Sequence, residues 1–229
     1  KSVEDELTFE FEKREVLQTL SSRTVYGRLL ADAIKNKSIP KKEVPPYVAL
    51  QLRRVVGNGF VEIWGPIDQL AGSKKADYAK YQRLLTNTAI GAASAEKGRM
   101  VFLRTCQVCH KMYDEGGVMG PDLTGSNRAN IPYLLGNILD PSEEIQDDYK
   151  MVVITTNDGR TYTGNITAEN NRQITLRTVS QDALLLNKSD VQSREVTPKS
   201  MMPEGLFSTL TETEILDLAA YLRTTKQVE

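Results

Sequence analysis

The sequence predicts a mainly α-helical protein that carries a small antiparallel β module. Apolar residues recur at helical spacing through residues 1–92, and again in two amphipathic segments, 94–105 and 211–222. Between those two segments, residues 150–198 form short β-rich runs separated by polar turns, one of them Asn-Asp-Gly. We therefore expect a helical N-terminal region, 1–92, followed by a second domain, 93–229, with a β insertion at about 150–198.

The composition excludes several classes of protein. Of 229 residues, 29 are basic and 30 are acidic, and the formal net charge is −1. Because charge is not gathered into single-sign blocks, the chain does not have the pattern of a nucleic-acid binder or of a disordered tail. Its apolar stretches are far shorter than the roughly 18 residues that a membrane helix needs. We expect a folded chain without a membrane span and without a nucleic-acid partner.

The N-terminal region has the pattern of paired helices, which would suit the end of an α-solenoid. A third helix is expected at 74–90, and Trp64 is expected to pack helices together. The two apolar faces expected before it consist of Val25, Leu29, Leu30, Ala33 and Ile34, and of Val48, Leu52, Val55 and Val56. The region shows no cluster of titratable or ligating residues.

Two amphipathic helices are expected on either side of the chain's only cysteines and histidine. Ser94 is a suitable N-cap for the first helix, and Thr211 with Glu214 forms the pattern of a capping box for the second. Gly98 and Phe102 share one face of the first helix. Opposite small and aromatic residues of the second helix, this face would let the two helix axes cross closely.

The chain's two cysteines and its one histidine lie together as Cys106, Cys109 and His110, in CQVCH. C-x-x-C-H is the attachment motif for haem c, in which two thiols bond to the macrocycle and the next residue, histidine, ligates the iron. The alternative is a redox dithiol, which would need a preceding strand in a βαβ unit. A helix is expected there instead, so the motif favours one covalently bound haem c.

A wider set of motifs resembles a known family. Gly98-x-x-x-Phe102, CQVCH, the Gly-Pro-Asp-Leu run that starts at Gly120, a Met-Pro pair and a closing helix with AYL follow one another as in class I c-type cytochromes. The chain is therefore similar to proteins with the class I cytochrome c helical fold. That resemblance implies electron transfer through a single haem c.

Four further motifs narrow the resemblance. They are GPDLTGS at 120–126, NILDPS at 137–142, DGRTYTG at 158–164 and SMMPEGL at 200–206. Together they resemble the haem-binding domain that ends large membrane-bound dehydrogenases of the Pirellula/Verrucomicrobium type. The resemblance implies a periplasmic domain that accepts electrons from a dehydrogenase module or partner and passes them to a downstream acceptor. Such a domain transfers electrons and is not an enzyme by itself.

The resemblance also implies the residues that contact the haem. The Pro121 carbonyl would accept a hydrogen bond from Nδ1 of His110. The distal methionine of the family lies well downstream and is often followed by proline. Among Met100, Met112, Met119, Met151, Met201 and Met202, the pair Met202-Pro203 fits that description. We expect Met202 rather than Met201 to be the second iron ligand, with the β insertion accounting for the long interval from His110.

Several assignments stay open at this point. Arg128, Asn130 and Tyr133 could reach the haem propionates, or they could be ordinary surface or helix-cap residues. The β insertion could be a packing element, or it could cover the haem edge or dock a partner. If Met202 does not bind the iron, the open site would suit gas binding or peroxidase chemistry. The lack of a second histidine to act as a distal acid or base favours electron transfer.

Overall fold

A computed structural model describes residues 3–44, 46–65 and 74–228. The helices in these ranges are α1 (Val3–Ser21), α2 (Thr24–Lys35), α3 (Pro46–Val56), α4 (Gly59–Trp64), α5 (Lys74–Leu84), α6 (Asn87–Gly91), α7 (Ala95–Thr105), α8 (Ile131–Leu139) and α9 (Glu212–Leu222). The strands are β1 (Lys111–Met112), β2 (Glu115–Gly116), β3 (Lys150–Thr156), β4 (Thr161–Glu169), β5 (Gln173–Arg177), β6 (Leu184–Asn187) and β7 (Val191–Ser200). The fold contains both helices and an antiparallel sheet, so it is mixed rather than purely helical. Among these helices, none is both long and apolar enough to cross a membrane.

The chain forms two compact units. The sheet unit consists of Lys1–Ile67 and Ile145–Pro203, and the motif unit consists of Asp68–Glu144 and Glu204–Glu229. The sheet unit thus combines the N-terminal helices with the β insertion, whereas the motif unit contains CQVCH and the closing helix. This grouping differs from the division into 1–92 and 93–229 expected from the sequence, and that division stays a prediction.

The helices of the sheet unit pack around one apolar cluster. Its buried members are Leu17, Leu30, Ala31, Ile34, Val44, Val48, Ala49, Leu52 and Phe60. Trp64 is partly buried against this cluster, and its ring stacks on Phe60 with the centroids 5.9 Å apart. The expectation that Trp64 packs the helices together is confirmed.

The buried face of α2 differs from the expected one. Val25 and Leu29 are 69% and 63% exposed, so their assignment to the apolar face was wrong. The buried residues of α2 are Gly27, Leu30, Ala31 and Ile34. A Cβ on Gly27 would lie 2.8 Å from Val55 Cγ2, so the missing side chain lets α3 approach α2 on this side. This close approach selects the buried stripe, and Val25 and Leu29 lie outside it.

Five antiparallel strands form the sheet, in the order β6-β5-β4-β3-β7. Alternate residues on one face bury a second apolar cluster, as period-two alternation requires. Its members are Val152, Ile154, Ile174, Leu176 and Leu186. The Asn-Asp-Gly turn connects β3 to β4, with Gly159 at φ 78°. The predicted antiparallel β insertion is confirmed.

Within the sheet unit, β4 is hydrogen-bonded to the N-terminal helices. The Thr161 N–H donates to the Ser22 carbonyl at 3.0 Å, and Gln51 Nε2 donates to the Thr161 carbonyl at 3.1 Å. Thr163 Oγ1 also donates to Gln51 Oε1 at 2.7 Å. Because these bonds include backbone groups, the sheet and the N-terminal helices form a joint structure and the sheet is more than an isolated insertion.

In the motif unit, α7 and α9 cross with their backbones in contact. An ideal Cβ on Gly98 would lie only 1.9 Å from the Asp217 carbonyl oxygen and 2.8 Å from Tyr221 Cβ. Beside this point the rings of Phe102 and Tyr221 lie 5.3 Å apart. The Ser94 N–H donates to Asp217 Oδ1 at 2.8 Å, which adds a polar link between the same helices. The close crossing predicted from the sequence is confirmed.

Both helices begin at the predicted caps. Ser94 Oγ accepts a hydrogen bond from the Lys97 N–H at 3.2 Å. At the start of α9, Thr211 Oγ1 accepts from the Glu214 N–H, and Glu214 Oε2 accepts from the Thr211 N–H at 2.8 Å. The hydrogen bond from the Thr211 backbone, followed by that from Arg104, lowers the pKa of Glu214. A depressed carboxyl pKa stabilises the fold above the unfolded pKa, and this contribution is lost as the pH falls through the folded pKa.

Replacing Gly98 with alanine tests the crossing. Because the new methyl group would overlap a backbone carbonyl, we expect Gly98→Ala to lower the free energy of unfolding by about 1–3 kcal/mol. Gly91→Ala is the matched control, since it also adds a methyl group to a helix but meets no atom within 4 Å. Urea unfolding followed by circular dichroism measures both. Equal stability of the two variants would contradict the crossing.

Candidate functional site

The CQVCH segment continues directly from α7 as a tight turn. The Cys106 N–H donates to the Phe102 carbonyl at 2.8 Å, which extends the helical hydrogen bonding by one residue. The Cys109 and His110 N–H groups then donate to the Cys106 carbonyl at 3.1 and 3.0 Å. One turn of chain therefore brings both thiols and the imidazole together at the end of a helix fixed by the α7–α9 crossing.

The Cys106 thiol differs from that of an activated redox dithiol. Cys106 and Cys109 are not joined in a disulfide. Burial, with a smaller contribution from Cys109, raises the pKa of Cys106 to about 12. A redox dithiol of the Cys-x-x-Cys kind relies on a lowered thiol pKa, because the thiolate is the nucleophile. The shift at Cys106 has the opposite direction.

His110 is oriented through its Nδ1 atom. This atom lies 2.9 Å from the carbonyl oxygen of Pro121. Because a carbonyl oxygen only accepts hydrogen bonds, Nδ1 carries the proton and Nε2 keeps its lone pair. Burial lowers the pKa of His110, and the hydrogen bond to Pro121 partly opposes this effect. The imidazole is thus held neutral, in the tautomer whose Nε2 can bind a metal.

Glycines hold the following loop against the motif. The Gly120 N–H donates to the Cys109 carbonyl at 2.7 Å, and an ideal Cβ on Gly120 would lie 2.6 Å from His110 Cε1. A Cβ on Gly116 would lie 2.2 Å from the His110 carbonyl oxygen, and one on Gly117 would lie 2.1 Å from the Val108 carbonyl oxygen. Sequence reasoning included Gly120 only as the first residue of the Gly-Pro-Asp-Leu motif, and it did not consider Gly116 or Gly117. The dense glycine spacing in EGGVMGP just after CQVCH was the available signal.

Arg128 is buried, and it links this loop to the end of α9. Its Nη1 donates to the carbonyls of Leu222 and Thr224 at 2.5 and 3.2 Å, and its Nη2 donates to the Thr124 carbonyl at 2.7 Å. The guanidinium also lies 5.4 Å from the centroid of the Tyr113 ring. These contacts show a structural role, and an additional contact with a haem propionate stays a prediction.

The other two candidate propionate contacts, Asn130 and Tyr133, lie at the start of α8. Asn130 caps this helix, since its Oδ1 accepts from the Tyr133 N–H at 3.1 Å. The cap role considered for Asn130 in the sequence is therefore confirmed. The Tyr133 side chain is 47% exposed. The structure therefore shows one helix cap and one surface residue, and their contact with a haem stays a prediction.

The methionines of the motif unit differ in burial. Met112 and Met119 are buried, and Arg128 Nη1 donates to Met112 Sδ at 3.8 Å. Met100 lies on α7 and is 37% exposed. Met112 is therefore a core residue.

The remaining methionines belong to the sheet unit. Met151 is buried, and its Sδ accepts from Arg54 Nη2 at 3.2 Å. Met201 lines a cleft of about 560 Å³ within this unit, together with Arg54 and Tyr162. Met202 is partly buried, and its N–H donates to Ser200 Oγ at 3.1 Å. Its pairing with His110 at an iron stays a prediction.

The chain belongs to the cytochrome c family. A family model described as Cytochrome c matches residues 95–226, which is more than half of the chain. No curated protein matches it at a significant level. Members of this family hold haem c covalently, with an iron at its centre. The two adjacent thiols, the neutral imidazole and the glycine packed on its ring all fit that group.

A methyl group at Gly120 tests how tightly the loop holds the imidazole. Because the methyl would overlap the ring, we expect Gly120→Ala to displace His110 from Pro121, lowering the yield of haem-loaded protein and shifting its reduction potential. Gly125→Ala in the same loop is the control, since its Cβ meets no atom within 4 Å. Haem staining and a spectroscopic redox titration measure the effect. A parent-like Gly120→Ala protein would refute this packing.

Proposed function

We propose that the chain transfers electrons through one haem c whose iron is bound by His110 and Met202. Membership of the cytochrome c family indicates haem-based electron transfer. The observation that carries the proposal is the hydrogen bond from His110 Nδ1 to Pro121, because it leaves the Nε2 lone pair of a neutral imidazole available to an iron. The bound haem supplies reversible one-electron chemistry at its iron.

The chain's own groups set the conditions for that chemistry. Pro121 fixes the tautomer of His110 and increases its strength as a ligand. The α7–α9 pair and the buried Met112 place an apolar wall beside the motif, which lowers the local dielectric constant. The chain carries no second histidine that could act as an acid or base at the opposite face. These features favour electron transfer over gas binding or peroxidase chemistry.

Two observations support Met202 over Met201 as the second ligand. Met201 lines the cleft of the sheet unit, so its side chain already has a place there. Met202 precedes Pro203, and a residue before proline is restricted to extended backbone conformations. A restricted backbone reduces the entropy lost when the thioether binds, so Met202 is the better placed of the two.

The proposed setting is the periplasm, with a dehydrogenase module or partner as donor and a downstream protein as acceptor. The resemblance of the GPDLTGS, NILDPS and SMMPEGL motifs to dehydrogenase-associated domains supports this setting. Cytochrome c domains typically work outside the cytoplasm, which agrees with it. A dehydrogenase would be identified as the donor if its substrate reduced the holoprotein only when that dehydrogenase was present.

Exchanging each methionine for alanine tests the ligand. Because a thioether favours Fe(II), Met202→Ala should abolish the weak far-red sulfur-to-iron band, lower the reduction potential and let carbon monoxide bind the ferrous protein. Met201→Ala is the matched control and should leave all three properties unchanged. The reverse pattern would assign the ligand to Met201. If neither variant differed from the parent, an open or otherwise filled site would replace the proposed one.

A further inference from the structure

Helix α5 lies outside the residues matched by the family but forms part of the motif unit. The match begins at residue 95, whereas α5 ends at Leu84. Within the motif unit, the Tyr81 ring packs edge-on against Phe207 with the centroids 5.0 Å apart. Tyr78 Oη also donates to the Pro132 carbonyl at 3.4 Å. This additional helix therefore contacts both α8 and the short turn that follows Met202-Pro203.

Lys74, the first residue of α5, connects two carboxylates. Its Nζ lies 2.5 Å from Asp140 Oδ1, at the end of α8, and 3.4 Å from Glu204 Oε1. The side chains of Lys74 and Asp140 are 30% and 27% exposed, and that of Glu204 is 10% exposed. The hydrogen bond to Asp140 raises the pKa of Lys74, so the ammonium group stays charged at neutral pH. Partial shielding from water makes such a pair stronger than an exposed one.

Glu204 lies only two residues after Met202. A peptide chain extends by at most about 3.6 Å per residue, so Met202 lies within about 7 Å of the Glu204 Cα. The residues just beyond, Leu206 and Phe207, are buried in the motif unit and fix the chain on that side. A restraint on Glu204 therefore also restrains the chain at Met202, two residues before it.

We propose that Lys74 is a positioning residue for the axial methionine, holding Glu204 so that the Met202 thioether stays within reach of the iron. This inference rests on the proposed function, since it requires Met202 to be the ligand. The thioether is a weak ligand, and the fraction of time that it is dissociated depends on how freely its loop moves. Loss of the Lys74 contact should increase that fraction without removing the ligand.

The experiment measures how easily free imidazole displaces the thioether in the ferric holoprotein. Imidazole binds only when the thioether has left, so its apparent Kd reports the dissociated fraction. In Lys74→Met we expect this Kd to fall about two- to fivefold, the range expected for loss of a partly shielded ion pair. Lys75→Met is the matched control on the same helix, where the lysine is exposed, and should behave as the parent. Lys74→Arg should restore the parent Kd.

Two further measurements separate positioning from general stability. Glu204→Gln should lower the imidazole Kd as Lys74→Met does, and the double variant should add nothing, because both remove the Lys74–Glu204 contact through which the restraint acts. Urea unfolding of every variant gives its stability. If the imidazole Kd of Lys74→Met equals that of Lys75→Met, the inference is overturned. It is also overturned if the Kd changes only in proportion to the urea midpoint, which would show a general loss of stability.

Met202→Ala distinguishes a wrong axial ligand from a wrong role for Lys74. If this variant keeps the far-red band and the parent imidazole Kd, the proposed ligand is wrong and the positioning role fails with it. If Met202→Ala loses the band while Lys74→Met keeps the parent Kd, the electron-transfer proposal stands and only the role of Lys74 is overturned.

Discussion

The close approach of α7 and α9 at Gly98 is the constraint on which the motif unit depends. With the Asp217 carbonyl directly against the Gly98 backbone, the two helices cannot slide past each other without separating. Cys106 directly follows the last residue of α7, so the crossing fixes where the thiols begin. Arg128 binds the carbonyls at the end of α9, which joins the loop after Pro121 to the same pair of helices. The chain before His110 and the loop after it are therefore both held by the α7–α9 pair.

Hydrogen bonds from the loop after CQVCH fix the orientation of the His110 imidazole. The Gly120 N–H donates to the Cys109 carbonyl, and the carbonyl of the next residue, Pro121, accepts from His110 Nδ1. A shift of this loop would therefore disturb both hydrogen bonds. A ring held by its Nδ1 proton and by a glycine face has little freedom to rotate. The site is thus pre-organised by backbone groups, and few side chains are needed to define it.

Local features of the site and the fold could be predicted because they depend on residues close in sequence. Ser94 and Thr211 fix helix starts through bonds to residues three positions away, and the β runs alternate in the pattern that the sheet requires. The buried face of α2 could not be predicted in the same way. It depends on the close approach of α3 to Gly27, and a sequence pattern does not show which helix packs against which. The grouping of α5 with the motif unit also depends on distant partners such as Phe207. Periodicity locates a helix, but it does not name the surface against which the helix packs.

The contact between α7 and α9 joins parts of the chain that are synthesised at different times. Ser94 and Asp217 are bonded across 123 positions of the chain. Synthesis starts at the N-terminus, so CQVCH is complete while α9 has not yet been made. During that interval α7, which leads into the thiols, lacks the helix that later packs against it. Long-range closure of this kind is slow. The nascent chain therefore offers its attachment segment in a more open state than the finished protein does.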